Sequence, residues 1–257
     1  ADVREDAVLD ALATFRPDEV VHAAAHPGGR SLVEASTNVA VNAYGSMRLF
    51  EWCADHGAAV TFLSSSVVYG RGDGLPLRED APLAPGTVYG VGKVACEQWL
   101  RVLDEGRGLR WRVLRLFATY GAGHRPGLDQ GIVNVMLTQL RRGTTVVVKG
   151  SPDRVRDLVY VDDAARMIIR TLDTQAANGR VLNVGTGVGV RIGDLIMEIA
   201  DRLGRPRAAV TIDEQTGTVG DPQHNVADVT EMRRVLGDEC RVGISEGLSK
   251  TIAAIDG

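Results

Sequence analysis

Short apolar runs without polar alternation, set between longer amphipathic stretches, constrain this chain more than any other feature. The runs span 19–24, 59–64, 111–117, 145–149, 158–161 and 181–184. A strand with one wet face alternates apolar and polar residues, whereas a strand covered on both faces need not. Between the runs the spacing predicts helices over 6–15, 36–56 (closed at Gly57), 88–104, 132–141, 163–172 and 192–203. Strands and helices in such alternation predict a parallel sheet with helices on both sides. At 257 residues, 44% of them hydrophobic, the chain can build one large domain or one and a half.

Several classes are set aside early. The formal charge is −4 with both signs interleaved, so a nucleic-acid footprint and a basic membrane-surface helix are not expected. No apolar run approaches the roughly 18 residues of a membrane span, and Ala1 to Asp6 is too charged for a signal peptide. Cys53, Cys96 and Cys240 lie far apart without a C-x-x-C and read as reduced, buried cysteines of a cytoplasmic protein. His22 and His26 are four apart, but His22 belongs to a strand, so they share no face and no metal site is expected. Asp162-Asp163 reads as a helix N-cap.

The stretch T-V-Y-G-V-G-K, Thr87 to Lys93, places a tyrosine and a lysine at i and i+4, on one helical face. A phenol titrates near about 10. An ammonium beside it favours phenolate and lowers that pKa, which makes the pair a candidate general acid and base. Such a pair also arises by chance along a helix. Here, however, the strand 59–64 runs into Ser64-Ser65-Ser66, hydroxyls at the end of a strand where α/β sheets carry their sites.

A serine, then a tyrosine, then a lysine in this order resembles the short-chain dehydrogenase/reductase family. The closer likeness is to its extended branch, the NAD-dependent nucleotide-sugar epimerases and dehydratases, including the UDP-glucose 4-epimerases. Other stretches match that branch in order: V-V-H-A-A-A at 20–25, Thr37-Asn38-Val39 with Asn42 to Ser46, and L-R-L-F-A-T-Y-G-A-G at 114–123. R-D-L-V-Y-V-D-D at 156–163, N-V-G-T-G at 183–187, and Gly220-Asp221-Pro222 followed by Ala227-Asp228 complete the set.

The resemblance implies a Rossmann-type doubly wound parallel sheet with a smaller C-terminal α/β substrate domain. Residues 1–120 with about 156–185 would bind the dinucleotide, and 121–155 with 186–257 the substrate. It implies Ser65, Tyr89 and Lys93 as the catalytic set, with Tyr89 the acid/base and Lys93 holding the cofactor ribose. Cofactor-binding positions are Asp2, Val3, Ala23, Ala24, Ala25, Asn42, Tyr89, Lys93 and Phe117. Substrate-binding positions are Ser65, Ser66, Asn134 and Arg156, the last suited by its fork of donors to a diphosphate. The long helices 36–56 and 88–104 imply a homodimer joined as a four-helix bundle.

The departures narrow the chemistry. Dehydratases of this branch carry Asp and Glu after the catalytic hydroxyl; here Ser66 and Val67 stand there, which argues against dehydration. Ala118 replaces a usual asparagine, and Thr218 a frequent arginine. The implied activity is a 4-epimerase using NAD on a nucleotide sugar. A ketoreductase using NADPH and a non-catalytic cofactor-binding member of the fold are the alternatives. No Gly-rich dinucleotide loop opens the chain, and Gly185 to Gly189 reads as a turn instead. The expectation is that two strands, roughly 50 residues by the length of a βαβ unit, precede this segment in the native protein. The residue that selects NAD or NADP would lie among them.

Overall fold

A computed structural model describes residues 2–71, 76–123, 131–217 and 220–256. Helix α1 (Asp6–Phe15) leads into strand β1 (Glu19–His22). The next helical stretch is α2 (Ala35–Val39), a wider π turn over Ala40–Gly45, and α3 (Ser46–His56). The predicted single helix is therefore interrupted by a π segment. Gly57 ends α3 in the left-handed region, its N–H bonded to the Cys53 carbonyl. Strand β2 (Ala59–Ser65) follows, then α4 (Val88–Arg107), which starts where Thr87 Oγ1 accepts the Gly90 N–H at 3.1 Å.

β3 (Trp111–Leu116) continues through Phe117 into β4 (Ala118–Tyr120). After them come α5 (Ile132–Arg142), β5 (Thr145–Lys149), β6 (Val155–Tyr160), α6 (Val161–Leu172) and β7 (Arg180–Val184). The chain closes with β8 (Gly189–Arg191), α7 (Ile192–Arg202), β9 (Thr211–Gln215), β10 (His224–Asn225), α8 (Thr230–Leu236) and α9 (Ile244–Asp256).

The first sheet runs β1-β2-β3-β7, every neighbour parallel. Its two faces explain the missing alternation. Val60, Phe62 and Val113 point to the side packed with Phe50, Cys96 and Leu100 of α3 and α4. Leu114, Leu182 and Val184 point to the other side, against Met167 of α6. Each fully buried apolar side chain of this kind contributes about 1.5–3 kcal/mol, so both faces carry apolar residues.

A second sheet has the order β10-β6-β4, with β8 antiparallel to β6; β5 and β9 form a separate parallel pair. Within 156–185, β6 thus takes its partners from this second layer, whereas β7 pairs in the first sheet and α6 packs against it. Tyr120, Leu137, Val146 and Ile196 pack the second core.

Gly185 to Gly189 forms the turn that the sequence suggests, between β7 and β8. Two local expectations change. Asp162-Asp163 is not an N-cap: Tyr160 occupies that place without a side-chain bond, and the Asp163 carboxylate accepts the Arg241 and Val242 N–H groups at 2.7 Å each. β9 was not expected, because its residues are mostly exposed and carry no buried run. No helix among the described residues is long and apolar enough to cross a membrane.

Candidate active site

The C-terminal ends of β1, β2 and β3 open onto one cleft of about 680 Å³. Ala25, Gly28, Ser65, Tyr89, Phe117 and Asp221 are among its walls. Such a placement at strand ends is general for open α/β sheets. Of the three adjacent serines, only Ser65 lines the cleft; its Oγ accepts the Val67 N–H at 3.4 Å. Ser64 is buried and turned toward α4, and Ser66 is buried in the following turn, away from the cleft wall.

Tyr89 and Lys93 occupy the first two turns of α4. Lys93 is 3% exposed, and its Nζ lies 4.4 Å from the Phe62 ring centroid and 5.5 Å from that of Tyr89. The ammonium donates to the Leu63 carbonyl at 2.7 Å, its one hydrogen bond among the described residues. Burial pulls Lys93 down to about 8. The expected lowering of the phenol is not found. Burial, with a smaller contribution from Cys96, pushes Tyr89 up to about 12; the Lys93 ammonium lies over the ring and donates to Leu63. The ligand-free phenol therefore holds its proton at neutral pH.

The remaining sequence candidates fall into two groups. Ala25 and Phe117 line the cleft, and Ala23 and Ala24 are exposed beside them where the chain leaves β1. Asn42 is buried and grips the backbone of His26, accepting its N–H at 2.6 Å and donating to its carbonyl at 2.9 Å. Asp2 is bonded through both carboxylate oxygens to Arg4, which keeps its carboxyl down at about 2. A β-carbon on Gly45 would lie 2.7 Å from the Val3 side chain, so Val3 rests directly on the π turn. Arg156 donates to Asp221 at 2.7 Å, and Arg154 pairs with the same carboxylate. Asn134 is buried in α5, away from the cleft wall. Thr218 lies outside the described residues.

These residues fit a dinucleotide. Three consecutive alanines leave the strand end open to close approach, and a buried ammonium keeps donors free beside the phenol. His26, Gly28 and Asp221 also line the cleft although the sequence offers no role for them beyond a loop and a G-D-P turn. Asp157 is fully buried, and its carboxylate gathers the Thr186, Gly187 and Ala227 N–H groups, fixing the loops behind the cleft. Its place after Arg156 in R-D-L-V-Y was the available signal. Among the described residues, no three His, Cys, Asp or Glu side chains come together to hold a metal ion.

Comparisons with known proteins agree with this geometry. Residues 1–185 match the NAD dependent epimerase/dehydratase family. The chain is 31% identical over 255 residues to a UDP-glucose 4-epimerase of Mycolicibacterium smegmatis, covering 98% of this chain and 80% of that one. It is 30% identical over 238 residues to a dTDP-glucose 4,6-dehydratase of Streptomyces griseus, covering 92% and 71%. The crystal structure of a UDP-glucose 4-epimerase from Thermotoga maritima, with UDP-glucose, matches with a TM-score of 0.92 at 26% identity, over 100% of this chain and 83% of that one. The chain belongs to the NAD dependent epimerase/dehydratase family, enzymes that act on nucleotide sugars.

Proposed function

We propose that the protein is a nucleotide-sugar 4-epimerase. The observation that carries this reading is the meeting of Ser65 and Tyr89 in one cleft with Lys93 buried behind them. Ser66 and Val67, in place of the carboxylates that eliminate water, count against a dehydratase. When bound, NAD supplies the hydride acceptor and, in its oxidised form, a positive charge near the phenol.

Tyr89 Oη takes the proton of the reacting sugar hydroxyl as phenolate and returns it after the keto sugar has turned over. Ser65 Oγ holds the reacting oxygen. Lys93, with Asp2, Val3, Ala23 to Ala25, Asn42 and Phe117, forms the cofactor-binding set, Asn42 acting through the His26 backbone that it grips. Arg156 and Arg154 share a single carboxylate, and the positive charge left over suits a diphosphate. We assign Ser66 and Asn134 to the surroundings of the substrate and not to its contacts. The division of residues 1–120 with about 156–185 from 121–155 with 186–257 follows the same reading.

A homodimer through α3 and α4 is part of the proposal: Tyr44, in the π turn that leads into α3, is 61% exposed, and Val91 and Val102 of α4 are 55% and 64% exposed. Three unpaired thiols suit the cytoplasm. The test is incubation of the NAD-loaded protein with a panel of nucleotide sugars, reading C4 epimers. Epimer formation without net NADPH consumption is expected, and Tyr89→Phe should abolish it. One-way consumption of NADPH with a 4-keto sugar would replace the epimerase by a reductase.

A further inference from the structure

Behind the cleft lies a buried polar chain that the proton chemistry does not use. Glu97, one turn beyond Lys93 on α4, is 1% exposed and faces Arg115 of β3, which is 2% exposed. Glu97 Oε1 accepts the Ser64 hydroxyl at 2.5 Å and Arg115 Nε–H at 3.1 Å; Oε2 accepts Arg115 Nη2–H at 2.7 Å. Arg115 Nη1 donates to Tyr69 Oη and to the Glu79 carbonyl, both at 2.9 Å. Tyr69 in turn donates to Asn183 of β7 at 2.6 Å.

Stability alone does not explain this arrangement. Desolvating such a pair costs several kcal/mol per ion, and apolar residues of similar volume often stabilise a core as well or better. Register is what the pair imposes. Neighbouring strand residues face opposite ways, so holding Ser64 toward α4 turns Ser65 toward the cleft. One turn earlier on the helix, Lys93 is bonded to the carbonyl of Leu63. Two consecutive residues of β2 are thus tied to two successive turns of α4, and these are the turns that follow Tyr89.

We propose that Glu97 is a positioning residue: it locks α4 on β2 so that Tyr89 and Lys93 meet Ser65 at the reacting oxygen. The inference rests on reading the cleft as a nucleotide-sugar site. Glu97 does not line the cleft, so its effect must pass through Ser64 and the helix. Its charge also favours the Lys93 ammonium, opposing the burial that lowers it.

The test uses the NAD-loaded protein with Ser64→Ala and Glu97→Gln, the latter keeping size and reach. Misplacement by about 1 Å can cost on the order of 100-fold in rate. The expected result is therefore kcat lower by about 10-fold in Ser64→Ala and about 100-fold in Glu97→Gln. KM for the nucleotide sugar and NAD bound per subunit should stay within about threefold. A kcat per NAD-loaded site within about twofold of wild type in Glu97→Gln overturns the proposal, whatever happens to the melting temperature. If Glu97→Gln fails to fold, Ser64→Ala, which leaves the Glu97–Arg115 pair intact, decides by the same criterion. If the wild type turns over no nucleotide sugar, the functional reading fails, and amide exchange over 88–93 decides the positioning role instead. Exchange about fivefold faster in Ser64→Ala, the loss of one hydrogen bond, supports it, and unchanged exchange overturns it.

Discussion

Gly28 lies against the ring of Tyr89 so closely that a β-carbon there would sit 3.2 Å from Cδ1 and 3.3 Å from Cγ. The loop after β1 therefore forms one wall around the phenol. Gly28 is not in the left-handed region, so alanine can adopt its backbone, and the consequence of a substitution is contact alone. Gly28→Ala should lower kcat by about 10-fold through displacement of the ring, with a melting temperature within about 2 °C of wild type. Steady-state kinetics beside a thermal melt checks this, and an unchanged kcat would mean that the loop leaves the ring free.

Lys93 carries a cost that the catalytic reading explains. Its pKa is about 8 in the folded, ligand-free protein against 10.5 for an ordinary lysine. Between those values the unfolded chain holds more protons, so stability rises with pH; the penalty is complete below 8 and gone above 10.5. At roughly 1.4 kcal/mol per pKa unit it amounts to about 3 kcal/mol, offset by about 1 kcal/mol for the bond to Leu63. Lys93→Met should therefore be inactive yet more stable than wild type by roughly 2 kcal/mol at pH 7, an advantage that fades toward alkaline pH. Urea melts of NAD-free protein across that range decide it; equal stability at pH 7 refutes the assignment.

Tyr120 sits in the second core with its hydroxyl buried and without a partner among the described residues. A β-carbon on Gly247 of α9 would come 1.9 Å from that oxygen. Removing the hydroxyl relieves an unmet hydrogen bond, so Tyr120→Phe should stabilise by about 1 kcal/mol. Gly247→Ala should destabilise by about 2 kcal/mol, although alanine is the better helix former. The double variant should recover most of the loss, since the two positions share one contact. Additive effects in the cycle would show that the contact is not the cause.

Val91 and Val102 leave apolar surface on the outer side of α4. If α3 and α4 pair two copies, Val102→Glu should buries a charge without a partner and shift the protein toward monomers by about 10-fold or more in dissociation constant. Sedimentation over a concentration series measures it. A wild-type protein that is monomeric throughout removes the bundle from the proposal.

The amino-acid sequence by itself determined the parallel sheet, since runs such as Val60–Leu63 and Val113–Leu116 place apolar side chains on both faces, which holds only when helices cover both. It also placed Tyr89 and Lys93 on one helical face, and Ser65 at a strand end. These are short-range consequences of periods 3.6 and 2. What local pattern could not reach is what meets each face from far along the chain. Tertiary structure alone decided that Gly28 abuts Tyr89, that Asp221 pairs with Arg156, and that Glu97 holds Ser64. It also reversed the expected ionisation of Tyr89: spacing brought an ammonium near, but burial of the phenol raised its pKa instead.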